Sequence, residues 1–225
     1  MSADYDRLSD LGIEQARLLA EWIDPTTSNS KPLDEIVCGP AERHRHTARL
    51  VHDRLAEDPS CTTKIRFDPR LDEHDLSSLI RHAASDPAPA PSLAAMLRDF
   101  GTADELVAKS KALHRLTESL VTQWVEGTRA GDGIESWRDF SARVRAAFED
   151  LAARRGASLL VVTSVGPLAV MLETCLGLSP MRAFQTAWRA RNSSVTDFIA
   201  GPPGVTLNAF NLVSHLPDSG MHTHR

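Results

Sequence analysis

Apolar residues recur at helical spacing near the start of the chain. Leu11, Ala16, Leu18, Leu19, Trp22 and Ile23 give one apolar face. Ser9 is placed to cap this helix, Asp10 and Glu14 suit its positive end, and Asp24-Pro25 stops it. Thr26 to Pro32 reads as a polar loop. Glu35 to Cys38 is a short strand closed by Gly39-Pro40, and a helix follows from about Ala41 to Leu55. Lys64 to Phe67 alternates and predicts a second strand. Three prolines between Asp86 and Pro91 mark a loop. Leu106, Leu113, Leu116, Leu120 and Trp124 then mark one long helix, and Trp137, Phe140, Val144, Phe148 and Leu151 another, with Ser136 as its cap. Ser158 to Thr163 is apolar almost throughout, the pattern of a strand covered on both faces. Gly166-Pro167 opens a helix through Leu176, and a shorter one covers about Pro180 to Trp188. Val195 to Ala200 and Val205 to Asn211 are strands joined by a Gly-Pro-Pro-Gly turn.

Strands alternate with helices. The fold class is therefore α/β, in three layers, with helices on both faces of a mostly parallel sheet. The 225 residues suit a single domain over 1–225, with a helical insertion at about 75–133 and a flexible tail at 217–225.

Composition narrows the function. Acids outnumber bases 30 to 25, for a formal charge of −5, which argues against a nucleic-acid partner. Hydrophobic residues make up 42% and charged residues 24%, as in globular proteins. Cys38, Cys61 and Cys175 are scattered, so a disulfide framework or structural zinc site is not expected and a cytoplasmic setting fits. No apolar run reaches ~18 residues, so no membrane span is expected.

Three stretches carry candidate chemistry. Cys38 to Ala48 leads a strand into a helix with Arg43 in its first turn, where dipole and guanidinium favour a phosphate. The alternative is that Arg43, Arg45 and Arg49 form a solvated face. Leu71-Asp72-Glu73-His74-Asp75 follows a strand, and Glu73 could act as a general acid if buried; the alternative is an acidic loop. Ser164 stands where an apolar strand turns into a helix, at the end of the strand where α/β sheets bind ligands.

These stretches, with others, resemble the histidine phosphatase superfamily (phosphoglycerate mutase-like). Tyr5 to Leu19 is similar to its first helix, Leu-Ser/Thr-x-x-Gly-x-x-Gln-Ala. Val37 to Ala48 is similar to its Ser-x-Pro-x-x-Arg-x-x-x-Thr-Ala segment, and Leu71-Asp72-Glu73 to its Leu-x-Glu. Gly133 to Ser136 with Phe140, Arg143 and Val144 matches Glu-Ser-x-x-x-Phe-x-x-Arg-Val. Val161 to Gly166 aligns with Val-Val-Ser-His-Gly-Gly, and Asn192 to Thr196 resembles the entry to a late strand. The six matches run in order along nearly the whole chain.

The resemblance implies phosphoryl transfer through a phosphohistidine, without metal or other cofactor. Arg43 would contact phosphate, and Glu73 would protonate the leaving oxygen. Ser164 stands at the position of the family's second histidine. The implied partner is a phosphorylated small molecule or a phosphoprotein. The chain carries no Arg-His-Gly, the family's nucleophile motif. The expectation is a gene truncated upstream, lacking a central strand between those matching Ile36-Val37 and Leu159–Val162. The complete form would hydrolyse a phosphomonoester, and the 225 residues would be inactive.

Two other readings stay open. One is a pseudophosphatase that binds a phosphate ester or a protein without turnover. The other is a serine hydrolase, since Ser164, Asp197 and His215 follow the Ser…Asp…His order. His44 and His46, two apart on a helix, read as solvated and cannot share a metal. His215, His222 and His224 fall at or near the tail, and Cys38 reads as a small buried hydrophobe.

Overall fold

The computed structural model describes residues 6–24, 31–102, 105–129, 131 and 133–224. The start of the first family-like segment and most of the expected loop at 26–32 lie outside them. The described chain divides into two compact units, one formed by 1–73 with 142–225 and the other by 74–141.

The first unit holds the sheet. Its strands are β1 (Glu35–Cys38), β2 (Lys64–Phe67) and β3 (Leu159–Val162), in the order β2-β1-β3 and all parallel. The residue alternation of β1 divides the core in two. Ile36 and Cys38 face α1 (Asp10–Ile23) and α2 (Glu42–Leu55), packing with Ala20, Ala48, Val51 and Leu55. Val37 points the other way, into Leu71, Ala147, Phe148, Leu151 and Met171. β3 alternates in the same sense, with Leu160 and Val162 on the first cluster and Leu159 and Val161 on the second. The apolar run read as a doubly covered strand is one.

Phe148 and Leu151 lie on α6 (Trp137–Ala152), and Met171 lies on α7 (Val165–Leu176). Gly177 ends α7 with φ 64°, a left-handed cap that glycine adopts without steric cost. A short α8 (Pro180–Ala187) follows. β4 (Val195–Gly201) and β5 (Gly204–Leu212) form a separate antiparallel pair.

The gap expected between β1 and β3 is not found. These two pair directly, Ile36 opposite Leu160 and Cys38 opposite Val162, so their facing edges have no room for a further strand. Among the described residues β3 pairs only with β1, and β4 only with β5. Phe198 of β4 and Val205 of β5 nonetheless pack on the same cluster as Leu159 and Val161.

The face of α1 also differs from the expectation. Leu11 and Trp22 are exposed, while Gln15 is buried. Its side-chain amide donates to the Met221 carbonyl at 2.6 Å and to Thr223 Oγ1 at 3.0 Å. A polar residue replaces an apolar one on that stripe because it binds the Met221 carbonyl and the Thr223 hydroxyl.

The second unit contains α3 (Leu76–Ala84), α4 (Pro91–Thr102), α5 (Leu106–Val125) and the first turn of α6. The helical character expected at 75–133 is observed there. Leu79, Leu93, Leu116, Leu120 and Phe140 are buried. His74 stacks on Trp124 at 5.3 Å, and the Trp124 indole donates to the Glu135 carbonyl at 2.7 Å.

Candidate active site

The site is built where β1 and β3 end and α2 and α7 begin. After Cys38 the chain turns through Gly39-Pro40. A Cβ at Gly39 would lie 2.6 Å from His44 Nδ1 and 2.7 Å from the Leu71 carbonyl oxygen. Glycine is therefore required by close approach rather than by a turn. That approach lets the His44 imidazole lie against the strand end.

No side chain of the capping residue Ala41 serves α2. Its first amide is bound from elsewhere: the Glu42 N–H donates to Asp6 Oδ2 at 3.0 Å. Arg43 Nη1 donates to the other oxygen, Asp6 Oδ1, at 2.7 Å. A carboxylate is thus clamped between a guanidinium and a helix N-terminus, the two groups that suit a phosphoryl oxygen.

Arg43 extends its second nitrogen to Ser164, Nη2 donating to Oγ at 2.9 Å. Ser164 is the N-cap residue of α7, yet its hydroxyl caps nothing on that helix. It lies 2.5 Å from His44 Nε2. The cap comes instead from Glu73, whose Oε1 and Oε2 accept from the Gly166 N–H at 3.1 and 3.4 Å.

The turn carrying Glu73 is held from both sides. Thr163 Oγ1 donates to the Leu71 carbonyl at 2.9 Å. Arg143 Nη1 donates to the carbonyls of Arg70 and Asp72 at 2.8 and 3.0 Å. Burial pushes the Asp72 carboxyl up, against the pull of the Glu73 N–H and of Arg143 and Arg43. Burial likewise pushes the Cys38 thiol up despite Arg45 and Arg49, which leaves it a fully buried small hydrophobe.

The three residues singled out from sequence meet here: Arg43 touches Ser164, and Glu73 caps the helix that Ser164 begins. His44 corrects the sequence reading. It is buried at 3% exposure rather than solvated. The signal was present, since His44, Ala48, Val51 and Leu55 form the inward stripe of α2.

The Ser164–Asp197–His215 order is a second correction. His215 Nε2 lies 3.1 Å from Ser193 Oγ, and Asp197 accepts from Asn208 Nδ2 at 2.6 Å. Both are engaged away from Ser164, so chain order does not become a triad. Among the described residues no group of three or more His, Cys, Asp or Glu could hold a metal ion, and no helix is long and apolar enough to cross a membrane.

Solved structures with a similar fold include phosphatases. The α-ribazole phosphatase from Shigella flexneri shares 19% identity over 92% of this chain and 85% of its own, with a TM-score of 0.58. A phosphoserine phosphatase mutant from Entamoeba histolytica, in complex with phosphoserine, shares 16% over 93% and 86%, also at 0.58. A mycobacterial glucosyl-3-phosphoglycerate phosphatase in complex with VO3 shares 22% over 94% and 90%, again at 0.58. Identities this low speak for the fold alone. No curated protein matches in sequence. The model of the histidine phosphatase superfamily (branch 1) matches residues 2–90 and 91–213, and on that match the chain belongs to this superfamily.

Proposed function

We propose that this site takes the phosphoryl group of a phosphomonoester, either a small metabolite or a phosphorylated protein. The phosphoryl oxygens replace Asp6 on Arg43 and the Glu42 N–H, and Ser164 Oγ adds a further hydrogen bond. Glu73 is the acid for the leaving oxygen. The observation that carries this reading is the Asp6 carboxylate, which marks an anion slot with both oxygens bound. Phosphatase neighbours that act on phosphoserine and glucosyl-3-phosphoglycerate support the substrate class.

The 225 residues contain no Arg-His-Gly, so transfer through the family's phosphohistidine is not open to them. What they do by this reading is bind a phosphate ester. Hydrolysis through a phosphohistidine belongs to a form in which a strand carrying that motif joins the sheet. Among the described residues β3 and β4 each have one strand partner, and side chains of both pack on one apolar cluster, which supports such a place.

Isothermal titration with inorganic phosphate and with p-nitrophenyl phosphate tests the binding. Arg43→Ala is expected to weaken both by tenfold or more, since a hydrogen bond to a charged group contributes roughly 1.5–3 kcal/mol. Absence of binding, or binding indifferent to Arg43, overturns the proposal.

A further inference from the structure

The Ser164 hydroxyl is held by two groups that would together make it a nucleophile. His44 Nε2 is 2.5 Å away and Arg43 Nη2 is 2.9 Å away. Arg43 can only donate, so it uses a lone pair of Oγ. The hydroxyl proton is left to point at His44, which accepts it on Nε2 when its own proton is on Nδ1. The imidazole is buried at 3% exposure and packs so closely on the Gly39 backbone that a Cβ there would meet Nδ1 at 2.6 Å. A serine beside a buried imidazole, with a guanidinium to stabilise the developing alkoxide, is the arrangement of an activated nucleophile. Ser164 also avoids the usual duty of its position, because Glu73 caps α7 in its place.

We propose that Ser164 and His44 form a nucleophile–base pair, and that Ser164 Oγ accepts the phosphoryl group of the ester bound at Arg43. This rests on the phosphoryl-site reading above. The Oγ–P bond forms as the ester P–O bond breaks, the Oγ proton passes to His44 Nε2, and the leaving alkoxide takes a proton from Glu73. Water then attacks the phosphoserine, giving a proton to the Glu73 carboxylate, while the Oγ–P bond breaks and the His44 imidazolium returns its proton to Oγ, which releases phosphate and restores the hydroxyl, the neutral imidazole and the Glu73 acid.

A fluorophosphonate probe tests the pair directly, since its attack by Ser164 expels fluoride and leaves a stable Oγ–P adduct. Peptide mass spectrometry of the full chain is expected to find the adduct at Ser164, and to find none there after Ser164→Ala. His44→Gln is expected to slow labelling by about 100-fold or more, the usual contribution of a general base. No adduct at saturating probe, or an unchanged rate with Gln at position 44, overturns the proposal. Phosphate titration of the same variants separates the two readings: binding that persists without labelling sinks only the nucleophile, whereas loss of binding in the unmodified chain sinks the phosphoryl site. If His44→Gln does not fold, Ser164→Cys replaces it. The new thiol is expected to react with iodoacetamide at pH 7 at least tenfold faster than Cys61, and an equal or slower rate overturns the pairing with His44.

Discussion

β1 and β3 are neighbours of the same length and of similar apolar character, yet they are buried to different degrees. Ile36, Val37 and Cys38 are 0% exposed, while all four residues of β3 are only half-buried. Both strands send alternate side chains to the same two clusters, so the faces do not explain the difference. The edges do. β1 is hydrogen-bonded on both sides, by β2 and β3, whereas β3 has one partner among the described residues. An apolar strand is finished by its lateral neighbours as much as by the layers above and below it.

The contrast is sharpest in truncations. Ile36→Ala is expected to destabilise the protein by about 4 kcal/mol, and Leu160→Ala by about 2, from the two ends of the usual range for such substitutions. Urea unfolding of both variants checks this, and equal losses would show that the open edge is immaterial. Gly39→Ala comes next, at roughly 2–3 kcal/mol, because the new methyl meets the Leu71 backbone oxygen at 2.7 Å and must displace it.

The closed edge also has a pH signature. Asp68, just after β2, donates its N–H to the Cys38 carbonyl, and its buried side chain is bound by Arg70 and Arg66. The Arg70 hydrogen bond leads the effects that hold its carboxyl down at about 2, from 3.8. A depressed pKa stabilises the fold above pH ~4, and that contribution disappears as pH falls through ~2. The loss is on the order of 2 kcal/mol, and acid titration of Asp68→Asn is expected to lack it. The smallest effect lies beyond β3. Burial, and then the neighbouring His222, push the His215 imidazole down. Its contribution is complete above pH ~6.5 and is lost as the pH falls below that value. Melting temperatures of His215→Gln and the parent, compared between pH 8 and pH 5, are expected to converge at the acid end.

Element positions were legible because hydrophobic period and caps are local. The helix over Pro180 to Trp188 and both closing strands fall within a residue or so of their expected limits. Strand order was not legible, since nothing in an apolar run states which edge it offers to which neighbour. That is why a gap was expected between β1 and β3, which pair directly. At the site, Arg43, Glu73 and Ser164 were readable from their places at strand ends. His44 was hidden by its chemistry: a histidine among arginines reads as solvent-facing, although its spacing from Ala48 and Val51 puts it inside. Trp22 failed in the opposite sense, an apolar residue left exposed while Gln15 took the buried place.

In the phosphoryl site proposed above, the Asp6 clamp would make ligand capture at Arg43 an exchange of anions. Asp6 covers the guanidinium, which would hold its geometry ready while reducing its apparent affinity to the fraction of time the carboxylate is displaced. An incoming phosphate brings more negative charge than the aspartate it displaces, so it wins by its second charge and additional oxygens. A monoanionic carboxylate ligand has no such margin. In that proposal the resident aspartate would therefore act as a threshold, screening out weak anions before any contact with the rest of the substrate is made.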